Sequence, residues 1–184
     1  MAFLGQEDLQ KLGLKKLGTN VLISDKASIY NPQNISIGDN VRIDDFCIIS
    51  AGEKGIEIGS YVHIACYVSL IGNELIKIND FVGISSRTSV YSSSDDYSGN
   101  YLTGPTIPNE FKNVDNRPVF FESHSIIGAS CVILPGVTIE EGVAVGALSL
   151  VSKNLNSWSI YIGSPLRFVK KREKKMLDFL PLLK

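Results

Sequence analysis

The chain is poor in the residues from which redox, metal and membrane functions are built. Only three cysteines, Cys47, Cys66 and Cys131, occur in 184 residues, with no CxxC spacing, which argues against a disulfide framework or a thiolate metal site. They are expected to be reduced packing residues. Histidine occurs twice, at His63 and His124 on distant stretches, too few for a three-histidine metal centre, and no metal is expected. No apolar run approaches the ~20 residues that span a bilayer, and the first residues lack the apolar stretch of a signal peptide. A cytoplasmic protein without a membrane span is the expectation. The formal net charge of −1 also lacks the basic excess of a dedicated nucleic-acid binder.

What the chain has in abundance is an aliphatic residue at every sixth position, often followed by Gly, with a small or β-branched residue four places on. The pattern reads IGDNVR IDDFCI from Ile37, IGSYVH IACYVS from Ile58, INDFVG ISSRTS from Ile78 and IGASCV ILPGVT IEEGVA from Ile127. Three such hexapeptides make one turn of a triangular coil whose leaders point inward. Leaders fall at Leu17, Ile23 and Ile29; Ile37, Ile43 and Ile49; Ile58, Ile64 and Leu70; Ile78, Ile84 and Val90. Successive coils start 20, 21 and 20 residues apart, so two or three extra residues bulge at the same corner each time. Each short strand should pair with its counterpart one turn away at ~4.8 Å.

Three further segments frame the repeat. Residues 1–16, with Leu4, Leu9, Leu12 and Leu14 among polar residues, read as a short amphipathic helix capping the open end. Within the β-helix of residues 17–151, the period vanishes over 91–120 and resumes at Phe121, Ile127, Ile133, Ile139, Val145 and Val151. An excursion this long, with three tyrosines and two Pro-centred turns, reads as an ordered functional loop. In the 152–184 segment, Ser164-Pro165 reads as the start of a terminal helix carrying Leu166, Val169, Met176 and Leu177 on one stripe.

The repeat resembles the left-handed parallel β-helix of the hexapeptide acyltransferases, most closely the galactoside and maltose O-acetyltransferase type. The likeness covers roughly residues 17–171 and is most specific over RPVFFESHSIIGASCVILPGVTIEEGVAVGALSLVSKNL and YIGSPLRFVKK. It implies an all-β fold and a homotrimer with acetyl-coenzyme A in a groove between subunits. It further implies acetyl transfer to a hydroxyl of a sugar or saccharide precursor, as in polysaccharide modification, by direct attack on the thioester. Ala129, Gly146, Ala147, Ser152 and Lys153 match positions lining the family's coenzyme groove, and Arg167 and Lys170 match basic positions near its nucleotide end. Small residues there let a pantetheine arm approach the backbone, and cations complement phosphates. The N–H of Ala147 or a neighbour would hold the oxyanion. Asn73 matches an acceptor-side position, and Tyr91 and Tyr97 would suit a sugar wall.

One position departs from the family. Its catalytic histidine follows an aliphatic-Tyr-x-x-x pattern at the start of the long loop, and here Val90-Tyr91-Ser92-Ser93-Ser94 leads to Asp95, then Asp96. A free Asp at ~3.9 is a poorer base for a hydroxyl than His at ~6.5. The remaining histidines supply the alternatives. His63 is placed at an acceptor-facing corner, as a base oriented by Asp95 or Asp96 of the next subunit. His124 is placed at the equivalent corner two coils on, about 10 Å away. Three other activities compete: N-acetylation of an amino sugar nucleotide, a γ-type carbonic anhydrase, and a non-catalytic trimeric scaffold.

Overall fold

The computed structural model describes residues 2–183. Three parallel sheets wind into a triangular prism. Face one stacks Lys16–Leu17, Ile35–Ile37, Ile56–Ile58, Ile76–Ile78, Val119–Phe121 and Thr138–Ile139. Face two begins with Leu22–Ile23, runs through His63–Ile64 and Gly83–Ile84 to Ser159–Ile162, and ends in the antiparallel Arg167–Lys171. Face three runs from Ser28–Tyr30 to Leu150–Val151. Leaders stack on leaders, as in the register Ile35↔Ile56, Ile37↔Ile58.

The core is the column of leaders, from Ile37 to Val151 all 4% exposed or less. Leu17 and Ile29, in the first coil, are only partly buried because a coil lies on one side of them alone. The residue four places after a leader is buried too on faces one and two beyond the first coil, including Val41, Cys47, Val62, Val68, Val82 and Cys131. Burial pushes the Cys47 thiol up to about 11, so it is an inert packing group.

The residue three places after a leader makes the corner. It adopts a left-handed conformation at Asn40 (φ 55), Tyr61 (φ 57), Phe81 (φ 61) and His124 (φ 63), as does Trp158 (φ 51), three places after Leu155, which bridges to the leader Ile139. Such residues cost roughly 1–2 kcal/mol each when not glycine, and stacking between coils offsets it. Tyr61 stacks on Phe81 at 4.8 Å between centroids, Phe81 on His124 at 5.0 Å, and His124 on Trp158 at 6.4 Å. Between the last two lies Gly142, whose added Cβ would meet the Trp158 ring at 2.5 Å.

The corner from face three back to face one takes the extra residues. Two asparagines strap it, Asn31 donating to the Ala51 carbonyl at 2.7 Å and Asn34 to that of Gly52 at 2.9 Å. The long loop leaves from this corner and is closed by an antiparallel ladder pairing Ser93–Ser94 with Asp115–Asn116.

At the N-terminus an α-helix spans Gln6–Lys11, with Leu9 buried and Leu4, Leu12 and Leu14 packed beside the core. The C-terminal end differs from the expectation. Ser164-Pro165 does not start a helix; the bond is cis and sits in a hairpin turn between Ser159–Ile162 and Arg167–Lys171. Gly163 at φ 98 reverses the chain there, and the β-branched and aromatic residues of SIYI and RFVKK suit strands. The helical turns come later, as a 3-10 helix over Lys175–Leu182. Among the described residues no helix is long and apolar enough to cross a membrane.

Candidate functional site

The loop builds a cleft at its own base. It has a volume of about 330 Å³ and counts Asn73, Ser93, Ser94, Asp95, Lys112 and Val114 among its walls. Asn73 occupies the same corner one coil below the loop, which is why residues distant in sequence meet here. Asp95 is exposed and its carboxylate makes no hydrogen bond with a described residue. Asp96 behaves differently. Its Oδ1 accepts from the Ser98 N–H at 2.8 Å and the Ser98 hydroxyl at 2.5 Å, and its Oδ2 from Asn113 at 3.1 Å. Those bonds, the Ser98 hydroxyl first, hold the Asp96 carboxyl below its ordinary value. It is a loop-forming residue rather than part of the cleft. Tyr97 is 93% exposed, and neither it nor Tyr91 lines the cleft.

His63 lies elsewhere, on face two, which spans the prism opposite the loop corner. Its position corrects the expected equivalence of the two histidines. His63 stands five places after its leader Ile58, on the strand, in register with Arg42 and Gly83. His124 stands three places after Phe121, at the corner, in line with Tyr61 and Phe81. The residue level with His63 two coils on is therefore Ile126.

Within the chain, His63 is paired with neither Asp95 nor Asp96. Its Nε2 meets Asp44 Oδ2 at 2.9 Å, and Asp44 Oδ1 accepts from Arg42 Nε at 2.7 Å. Asp44 is 6% exposed. Burial opposes its charge, but the bonds from Arg42 and His63 outweigh that and keep its carboxyl below the usual value. Sequence reasoning missed Asp44; an acidic residue directly after the leader Ile43, one coil below His63, was the available signal. A shallow cleft of about 240 Å³ beside His63 is completed by Gly83, Ser85, Ser86 and Ile126.

The residues assigned to the coenzyme fall into two groups. Ala129, Gly146 and Ala147 form a flat strip where face two ends. The Leu148 N–H donates to the Ala129 carbonyl at 2.9 Å, and a Cβ on Gly128 would strike the Ala147 nitrogen at 2.5 Å. Arg167 joins this strip, since it pairs with Ile162, whose side chain lies against Gly146. Lys170 is exposed further along the same strand. Ser152 and Lys153 are exposed too, but follow face three. Neither Lys153 nor Arg167 has a side-chain partner among the described residues. Among those residues no group of three or more His, Cys, Asp or Glu side chains could hold a metal ion.

No protein-family model matches the chain. Over 178 residues, 97% of this chain and 93% of the relative, it is 48% identical to a dTDP-4-amino-4,6-dideoxy-D-glucose acyltransferase of Escherichia coli. It is also similar to AntD, an N-acyltransferase from Bacillus cereus. A serine-to-alanine variant of AntD with dTDP-4-amino-4,6-dideoxyglucose and coenzyme A matches at TM-score 0.94 and 53% identity over 99% of each chain. AntD with dTDP and 3-hydroxybutyryl-CoA matches at TM-score 0.92 and 54% identity, over 98% of this chain and 95% of that one. A maltose O-acetyltransferase from Clostridium difficile 630, at TM-score 0.60 and 21% identity over 92% of this chain and 75% of that one, shares the fold alone.

Proposed function

The chain belongs to the hexapeptide-repeat acyltransferases, and from that premise we propose that it transfers an acyl group from acyl-coenzyme A to the amine of a dTDP-linked 4-amino-4,6-dideoxy sugar. The observation that carries this reading is Asp95, a free carboxylate in the loop cleft at the position where the O-acetyltransferases place histidine. A hydroxyl must surrender its proton to a base as it attacks, a task for which a carboxylate is poorly matched. A neutral amine attacks with its own lone pair and sheds a proton only after the C–N bond has formed. Aspartate suits that order of events, and the relatives named above that are about half identical to this chain support the N-acyl alternative over O-acetylation.

In this mechanism Asp95 accepts a hydrogen bond from the amine and aims its lone pair at the thioester carbon. The C–N bond forms, the carbonyl oxygen becomes an oxyanion held by a backbone N–H near Ala147, and the C–S bond then breaks. The proton lost by nitrogen passes through Asp95 to solvent or to the departing thiolate. Coenzyme A lies along Ala129, Gly146 and Ala147, its phosphates met by Arg167, Lys170 and Lys153.

Asp95 and the histidine of face two lie on opposite sides of one prism. The reading therefore includes a homotrimer in which the loop corner of one protomer faces face two of the next. There His63, fixed through Nε2 by Asp44, contributes its Nδ1 to the acceptor site. The test compares the 4-amino sugar nucleotide with its 4-hydroxy counterpart under acetyl-coenzyme A. We expect kcat/KM to favour the amine by about a hundredfold or more; equal rates, or preference for the hydroxyl, refute the proposal.

A further inference from the structure

The loop cleft carries two formal charges, and the chain neutralises neither. Asp96 and Asp115, which flank it in sequence, are fully engaged: Asp96 with Ser98 and Asn113, and Asp115 with Arg117 through bonds of 2.8 and 2.6 Å. Those contacts hold the loop in shape. The charges that line the cleft itself, Asp95 and Lys112, form no ion pair with each other and no side-chain hydrogen bond with any described residue. Lys112 is also partly buried, which holds its stem against the cleft wall while its ammonium has no partner among the described residues.

A ligand that satisfies both groups must be cationic or amine-bearing at one end and anionic further along. A free amino sugar meets only the first demand. Coenzyme A meets only the second, and the cations matched to its phosphates lie in the C-terminal coil and hairpin, not in this cleft. Two other partly buried cations near grooves are already engaged: Arg172 donates to the carbonyls of His124 at 2.8 Å and Gly142 at 3.0 Å, and Lys77 pairs with Glu57 at 3.7 Å. Lys112 is thus the cation in the described cleft that remains open to an anion.

We propose that Lys112 binds the diphosphate of the acceptor while Asp95 holds its amine, so that this pair restricts the acceptor to nucleoside-diphosphate amino sugars. The proposal rests on the function argued above and adds to it a residue that selects the substrate class. Lys112 touches no reacting atom; its contribution is to binding, and its loss leaves the chemistry of the amine intact.

The test is titration calorimetry of the intact protein with dTDP alone, followed by steady-state kinetics with the dTDP-linked amino sugar. Lys112→Gln is expected to weaken dTDP binding about ten- to a hundredfold, the range for losing a charge-assisted contact. KM for the nucleotide acceptor should rise by a similar factor while kcat stays close to the parent value. Lys112→Arg, which keeps the charge and checks that the loop still folds, should stay within about threefold of the parent in affinity. If the parent binds dTDP and Lys112→Gln binds it equally well, the assignment of Lys112 is wrong and the acyltransferase reading stands. If the parent itself fails to bind dTDP, both fall together.

Discussion

Asp95 and Asp96 are adjacent in sequence and opposite in role, so replacing each with asparagine separates catalysis from loop construction. Asp95 makes no side-chain hydrogen bond and is exposed, so Asp95→Asn should leave the melting temperature unchanged, as surface substitutions away from special features generally do. Its effect should fall on turnover. Losing a positioned proton acceptor lowers kcat by about two to four orders of magnitude, with little change in coenzyme affinity. Asp96 accepts three hydrogen bonds, at 2.8, 2.5 and 3.1 Å, and asparagine can replace only one carboxylate oxygen as an acceptor. Asp96→Asn should therefore loosen the loop, seen as faster proteolysis between residues 96 and 113, while kcat falls less than for Asp95→Asn. Stopped assays of both variants, with limited proteolysis of each, provide the comparison. A larger loss of kcat in Asp96→Asn than in Asp95→Asn would refute the division of roles.

Further predictions concern the coenzyme, the core and acid stability. Lys153→Ala and Arg167→Ala should each weaken coenzyme A binding by about ten- to a hundredfold in calorimetry; unchanged affinity in both would remove the phosphate assignment. Phe121, wholly buried and the largest leader, sits between Ile78 and Ile139. Phe121→Ala should cost about 3–5 kcal/mol and lower the melting temperature by roughly 10 °C. Asp44 has a folded pKa below its ordinary value, so its contribution is fully present above the unfolded value of about 4 and is lost as pH falls through the folded one. The difference in melting temperature between the parent and Asp44→Asn should hence shrink as pH falls below about 4.

The leaders were legible because a core of one residue type at a fixed spacing leaves a periodic trace. Ile37, Ile43 and Ile49 needed no knowledge of their neighbours to be placed. The histidines were harder, because three and five places after a leader are a corner and a strand, respectively, and only the register separates them. Asp44 went unnoticed since its burial depends on Arg42 and His63, the latter one coil away. The C-terminal hairpin was masked by Ser164-Pro165, a pair that opens helices and also closes turns. Asp95 was visible as a departure from the family pattern; its meaning depended on the acceptor, since aspartate is a weak base for a hydroxyl and an adequate partner for an amine.

The central claim is that the acceptor's amine lies against Asp95 in the loop cleft. A structure of the protein with coenzyme A and the dTDP-linked 4-amino sugar measures this directly. The account predicts the 4-amine within about 2.6–3.2 Å of the Asp95 carboxylate, with the coenzyme's sulfur beyond it along the Ala129–Ala147 strip. An amine bound away from Asp95, beside His63 with the loop cleft empty, would contradict it.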